Sequence, residues 1–399
     1  MSNKPFLAVG LDAGSDWTRC CVLLLENAQV RLLGFASTPS QGWSKGRVAD
    51  QAAVSECLLR TVREAEARAQ TGISAVVLGV GGNAISGSSG RGGYEMGFPR
   101  SINQHDVNRV VERASRVRLQ EDEIILHLLP QDFSVDGRNG HRNPRGMIGS
   151  RLEVYVHLVT GSLHEHQALV GAANQAHLLV EETVFEPLAA AYAAIRPEDR
   201  REGCVLVDIG VHSTGLAVYY GDGLLFSSSL ALCGDHFTRD VARGLSVSYD
   251  DAVWIKEQYG CADVSLAGGA SFIEVPTSAG RPSREATRNE LNLILEARAV
   301  ELFEFVAREL AGIGMEQTLI SCVLVGGGSR LPGMCDVAER IFDCQARIGL
   351  PIGIRDWSAE IDDPAWTTAT GLAMYSARLK LRAELDHNSG GFLAKVFGG

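Results

Sequence analysis

An α/β fold of two lobes, made by internal duplication, is what this 399-residue sequence predicts. Two observations carry the prediction. The apolar run Phe6–Leu11 is closed by Asp12 and Gly14, and a second strand-like run, Thr18 to Leu25, leads away. The same device recurs at Val205–Val207, closed by Asp208 and Gly210 and followed by Leu216 to Tyr220. Each copy ends a strand on an acid and puts small residues where backbone amides must approach an anion. Two such turns facing each other can hold one polyphosphate.

Composition bounds the reading. With 45% hydrophobic and 21% charged residues, the chain can build two cores, and disorder is not the default. A formal net charge of -11 disfavours unspecific attraction to nucleic acid or to an anionic membrane. A polyphosphate must then rely on local amides and a divalent cation. The nine cysteines are scattered without a CxxC pair, and Cys20-Cys21 lies in a strand where one side chain points to each face. This pattern predicts reduced, buried thiols in a cytosolic protein. No apolar run approaches the roughly 20 residues needed to span a bilayer.

Along the chain, Gln51 to Gln70 predicts a helix with Val54, Cys57, Leu58 and Val62 on one face, and Ile73 to Gly79 a buried strand. Gly87 to Gly93 predicts a flexible loop that opens an inserted segment, within which Val107, Val110, Val111 and Ala114 keep helical spacing. Strict alternation over Arg151 to Val159 predicts a half-buried strand after the Asn143-Pro144-Arg145-Gly146 turn. A helix from Ser162, a short strand at Leu178 to Val180 and a helix around Glu186 complete the first half. After Gly203 come the second hairpin set, a mixed helical region with a loop at Pro276 to Arg284, the strand Ser321 to Val325 and a last helix, Thr367 to Leu385. The implied division is a first-lobe core over 1–86, an insert over 87–159 and connecting helices over 160–202. The second lobe follows over 203–232, its outer subdomain over 233–310, its closing part over 311–385, and a tail over 386–399.

Asp12 and Asp208 sit where two carboxylates organise the water shell of Mg²⁺, an ion that keeps several waters and takes one or two protein carboxylates. Taken singly, each is equally an Asx turn capping a hairpin; the duplication lifts the functional reading. Gly326, Gly327 and Gly328 after a strand form a third element, letting a base and ribose lie against backbone near a helix start. A Rossmann site is a poor rival, because GxGxxG is absent. The three parts together fit an actin-like, ribonuclease H-like duplicated ATPase fold that binds ATP with Mg²⁺. Glu186 would polarise an attacking water if the fold carries it to the cleft, or otherwise serve a helix dipole. Lys256 is a ribose or base contact or a solvated helix lysine. His164-Glu165-His166 is no zinc site, since i and i+2 histidines diverge on a helix.

Four stretches carry a family resemblance: Gly46-Arg47-Val48-Ala49-Asp50, Ile125 through Gln131 to Phe133, Asn143-Pro144-Arg145-Gly146, and Val156-His157-Leu158-Val159-Thr160. In these the chain resembles the FtsA family, actin-like proteins that tether the bacterial division ring to the membrane. The resemblance covers most of the chain and implies an FtsA-type inserted subdomain. It also carries Asp12, Gly14 and Ser15 onto a first phosphate hairpin, Asp208, Gly210 and Ser213 onto a second, and Gly326, Gly327, Gly328 and Arg330 onto an adenosine motif. Where relatives have small or basic residues, this chain has Asp16, Trp17 and His212, and Val253 stands where many have a ribose-binding Glu. A carboxylate about 5 Å from a phosphate oxygen costs roughly 3 kcal/mol at an effective dielectric of 20. The expectation is therefore retained nucleotide binding with slow or negligible hydrolysis.

The resemblance further implies a head-to-tail polymer, recruitment of other divisome proteins and a place on the cytoplasmic face of the inner membrane at the division site. The FtsZ C-terminal peptide would dock on the outer subdomain at Arg281, Arg284 and Arg298. A short amphipathic tail helix with Phe392, Leu393, Val396 and Phe397 on one face would bind lipid. Two rivals share the fold. A PilM-like pilus scaffold would lack the Leu-Pro-Gln and Asn-Pro-x-Gly patterns, and a small-molecule phosphotransferase would need a catalytic Asp that the sequence does not place.

Overall fold

The computed structural model describes residues 5–221, 223–266, 271–275, 284–315 and 319–388. The first lobe begins with strands β1 (Phe6–Ala13), β2 (Trp17–Glu26) and β3 (Gln29–Pro39), a small hairpin β4 (Trp43–Ser44) and β5 (Arg47–Val48), helix α1 (Gln51–Ala69) and β6 (Ala75–Val80). An inserted unit follows: β7 (Ser86–Ser101), α2 (Gln104–Ala114), β8 (Glu123–Val135), β9 (Arg138–His141) and β10 (Ile148–Ser162). The lobe closes with α3 (Leu163–Gln175), β11 (Leu179–Phe185), α4 (Glu186–Ala194) and α5 (Pro197–Glu202).

The second lobe holds β12 (Cys204–Ile209), β13 (Thr214–Tyr220), β14 (Gly223–Leu230), α6 (Gly234–Leu245) and α7 (Tyr249–Tyr259). It continues through β15 (Phe272–Val275), β16 (Arg284–Thr287), α8 (Arg288–Gly312), β17 (Ser321–Val325), α9 (Met334–Phe342), β18 (Gln345–Ile348), β19 (Ile354–Arg355) and α10 (Thr367–Asn388).

The duplication is visible in the sheets. In the first lobe the order β3-β2-β1-β6-β11 is an antiparallel meander continued by two strands parallel to its first; β14-β13-β12-β17-β18 repeats it in the second. Cys20 and Cys21 point into different cores, as strand alternation requires. Helices α4 and α10 cross between the lobes. Helix α4 is apolar all round, with Leu188, Ala189, Ala190 and Ala191 fully buried, because it is covered on both sides. Gly371 of α10 meets it so closely that a β-carbon there would lie 3.0 Å from the Ala190 nitrogen.

Gly87 to Gly93 is not a loop. It lies inside the sixteen-residue strand β7, paired with β10 from Ser86↔Thr160 to Ser101↔Ile148. Its glycines serve close approach: a β-carbon at Gly92 would sit 2.7 Å from the Ala114 nitrogen, and one at Gly90 would sit 2.9 Å from the Ala114 oxygen. Helix α2 thus lies flat on the strand, with Val107, Val110, Val111 and Ala114 buried against Leu152, Val154, Val156 and Leu158. The alternation in β10 also fails: Glu153 is buried with Arg91 and Arg151 donating to its carboxylate, and past Val156 both His157 and Val159 are buried, because the strand there enters the molecule's interior. The turn at Asn143 forms, its Oδ1 accepting from the Arg145 nitrogen at 3.2 Å. In the second lobe, Arg284 belongs to a strand, pairing with Val275.

The inserted unit joins the second lobe's sheet. Ser86 of β7 pairs with Ser228 of β14, giving one nine-stranded sheet. Gln131 Nε2 donates to the Leu224 and Leu225 carbonyls at 3.0 and 3.1 Å, and His157 Nε2 lies 2.8 Å from Ser227 Oγ. His127 Nε2 accepts from the Phe185 amide at 2.9 Å, fixing the residue before α4. Burial pushes this imidazole down to about 4, so it stays a neutral acceptor.

Replacing Gly92 by Ala is expected to lift α2 and destabilise the inserted unit by about 1–3 kcal/mol. Gly97→Ala, with open space but a φ of 82°, costs a smaller amount, about 1 kcal/mol. Hydrogen exchange over 86–162 measures both; equal protection in Gly92→Ala and wild type contradicts the packing.

Candidate functional site: a cleft between paired acidic turns

Strand β1 delivers Asp12 and turns at Gly14, where a β-carbon would lie 2.6 Å from the Trp17 carbonyl oxygen. Strand β12 delivers Asp208 and turns at Gly210, where one would lie 2.9 Å from the Ser213 oxygen. The two turns face each other across a cleft of about 490 Å³, within the range of small-ligand and cofactor sites. Gly326 follows β17 with a φ of 81°; a β-carbon there would lie 2.7 Å from the Ile209 oxygen, so the third glycine loop packs on the second turn.

Glu186 opens α4 and reaches the same cleft beside Gly81. Three carboxylates, Asp12 buried and Asp208 and Glu186 half-buried, therefore line one cleft from separate elements. Burial lifts Asp12 to about 7, against the pull of Arg19, with Asp208 adding to the rise. Burial likewise lifts Asp208 to about 6, opposed by the Thr368 hydroxyl, whose oxygen donates to Oδ2 at 3.0 Å. Glu186 is raised well above the usual carboxylate range by burial and by Asp12 and Asp208. Among the described residues, no three His, Cys, Asp or Glu side chains gather closely enough to cage an ion.

The other sequence-predicted residues line the same space. Ser15, Ser213, Lys256, Gly327, Gly328 and Arg330 are all on its wall, as are Asp16, Trp17, His212 and Val253. Lys256 Nζ donates to Thr238 Oγ1 at 2.8 Å, and burial lowers its pKa. Arg330 pairs with Asp363 at 2.8 Å. Ser15 Oγ meets His212 Nδ1 at 2.7 Å, the contact that ties the two turns together.

Arg19 was not anticipated. It stands opposite Asp12 in the hairpin register, and its charge acts on both Asp12 and Asp208. Counting outward from the turn, Asp12 to Arg19, would have found it. Thr368, arriving from α10, carries no local signal. Away from the cleft, Arg298 is held by Asp240 at 2.6 Å and by Glu301. Arg281, Phe392, Leu393, Val396 and Phe397 lie outside the described residues, as does the Arg284 side chain.

Comparison with known proteins decides the family. The model for "Cell division protein FtsA" matches residues 205–371, and that for the "SHS2 domain inserted in FTSA" matches 82–160. The chain is 32% identical to cell division protein FtsA of Escherichia coli K12 over 95% of its own length and 92% of that protein's. It belongs to the FtsA family. The FtsA of Pseudomonas aeruginosa is 32% identical over 92% of the chain and 89% of its own, and that of Bacillus subtilis 30% over 94% and 84%.

This is accordingly a cell-division protein of actin-like fold, and its β7–β10 unit falls within the family's inserted domain. Solved structures agree on the fold. A PilM-PilN type IV pilus biogenesis complex matches at TM-score 0.68 and 19% identity, covering 93% of this chain and 98% of that one. MreB5 of Spiroplasma citri bound to AMPPNP matches at 0.55 and 15%, covering 96% and 99%. At these identities the likeness shows architecture alone.

The raised carboxylates predict a pH signature. The folded state binds more protons than the unfolded chain between about pH 4 and pH 7, so Asp12 and Asp208 withdraw stability as pH rises through that window. Asp12→Asn and Asp208→Asn are therefore expected to melt higher than wild type at pH 8 in chelator, by about 2–4 °C for each kcal/mol relieved. The gap should close toward pH 4; a gap that widens on acidification contradicts the burial.

Proposed function

We propose that this chain binds ATP with Mg²⁺ in the cleft, polymerises head to tail and tethers FtsZ filaments to the cytoplasmic face of the inner membrane at the division site, where it recruits other divisome proteins. The observation that carries the nucleotide reading is the meeting of Asp12, Asp208 and Glu186 beneath two facing turns. The two turns around Gly14 and Gly210 would face the phosphates, the Gly210 amide itself being held by the Ser213 carbonyl at 2.9 Å, while Asp12 and Asp208 would orient the waters of the cation. Bound there, the cation supplies positive charge to the phosphates. Gly326, Gly327 and Gly328, with Lys256 and Arg330, would receive the nucleoside. The MreB5 relatives described as bound to AMPPNP and to ADP support a nucleotide in this architecture.

Slow hydrolysis follows from the residues around that floor. Asp16 brings an extra carboxylate to the first turn, and His212 fills space between the turns. Glu186, whose carboxyl is raised above the usual range by desolvation and by Asp12 and Asp208, gives up its proton less readily, and a general base must be ionised. Turnover should fall well below the roughly 1–100 s⁻¹ of kinases, and a rate inside that range contradicts the reading.

The membrane and FtsZ roles rest on family membership and on the sequence. Among the described residues no helix is long and apolar enough to cross a membrane. A four-residue apolar face, worth at most about 1.5–3 kcal/mol per side chain, binds lipid weakly in one copy, so firm attachment needs many tails in a row. An acidic FtsZ peptide reaching Arg298 must displace Asp240 and Glu301.

Liposome flotation with and without ATP and an FtsZ tail peptide tests the three roles together. Removing residues 391–399 should cut the floated fraction about tenfold or more while sparing ATP binding. Unchanged flotation rejects the anchor.

A further inference from the structure

We propose that Ser15 is a phosphoryl acceptor, so that the chain transfers the terminal phosphoryl group of its bound nucleoside triphosphate to its own Ser15 hydroxyl, with His212 as general base. The proposal rests on the nucleotide reading above and adds a reaction to it. Ser15 stands on the first turn and His212 on the second, both half-buried, with Oγ and Nδ1 2.7 Å apart. With the ring hydrogen on Nε2, the Ser15 hydroxyl donates to Nδ1. Two turns that only offered amides to phosphates would need nothing larger than glycine at either place. Here the position between them holds a nucleophile within reach of a base.

The base is fixed from several sides. Asn83 Nδ2 donates to the His212 carbonyl at 3.2 Å, and a β-carbon on Gly46 would lie 2.9 Å from the His212 β-carbon, so the β4–β5 turn closes over it. The Asp235 amide donates to the Val211 oxygen at 2.9 Å, which fixes the backbone just before His212. The Asp235 carboxylate is itself held, accepting from Tyr249 Oη at 2.8 Å and from Arg239 Nε at 2.5 Å. Nucleophile and base thus stand together on the wall of the cleft.

The step balances without a further reactant. A bond forms from Ser15 Oγ to the terminal phosphorus, the bond from that phosphorus to the bridging oxygen breaks, and the hydroxyl proton passes to His212 Nδ1. The nucleoside diphosphate leaves with the electron pair. The product is a phosphoserine carrying about -1.5 to -2 charge, which ends the Ser15–His212 tie and sets new charge beside Asp16.

The test incubates the full chain with Mg²⁺ and ATP labelled in its terminal phosphate, maps the label by mass spectrometry, and measures ATP binding separately by calorimetry. The expected result is up to one phosphate per chain on Ser15. At saturating ATP, His212→Ala should label about 100-fold more slowly, and His212→Gln, which can still hydrogen-bond Ser15 but is no base, should do the same. ATP binding with no label on Ser15, label at another residue, or His212 variants labelling at the wild-type rate overturns the proposal and leaves the nucleotide reading standing. Absence of ATP binding overturns both.

Discussion

Everything in this molecule depends on bringing three carboxylates from separate elements into one cleft between two lobes. Asp12, Asp208 and Glu186 reside on β1, β12 and α4, separated by long stretches of chain, and withdrawing each from water, Asp12 fully and the other two in part, has a cost that burial elsewhere must offset. The fold meets that cost by crossing α4 and α10 between the sheets. Each helix belongs to the chain of one lobe and packs against the other, so the floor of the cleft is set by the hydrophobic core rather than by loops. Alanines along α4 and the glycine at 371 are what allow the crossing to be so close.

The inserted unit has a matching physical task. By extending the second lobe's sheet through Ser86 and Ser228, and by giving the Phe185 amide an acceptor in His127, it ties the entry to α4 to both lobes. The Leu129-Pro130-Gln131 stretch, conspicuous in the sequence, has a mechanical role here, since Gln131 grips two carbonyls of β14. The insert therefore supports the position of Glu186, and its contribution to the cleft is indirect.

Much of this was legible in the sequence because the decisive signals are local. An acid closing an apolar run, followed by glycine and another run, appears twice, and helical spacing marked α1 and α2. What escaped notice depends on contacts between distant segments. The glycines of β7 suggested a loop because glycine favours flexibility, yet their lack of a β-carbon is used to admit α2. Arg19 needed the hairpin register to be recognised, and Thr368 reaches Asp208 only after the chain has crossed between lobes. The tie between Ser15 and His212 joins residues 197 positions apart, which no local pattern encodes.

The claim at the centre is that one magnesium nucleotide is clasped by both acidic turns. A crystal structure of the chain with ATP and Mg²⁺ tests it most directly. The account predicts phosphates lying between Gly14 and Gly210, with the cation's waters against Asp12 and Asp208. A cleft without density at saturating ligand, or the two aspartates pointing away from a nucleotide bound elsewhere, would contradict it.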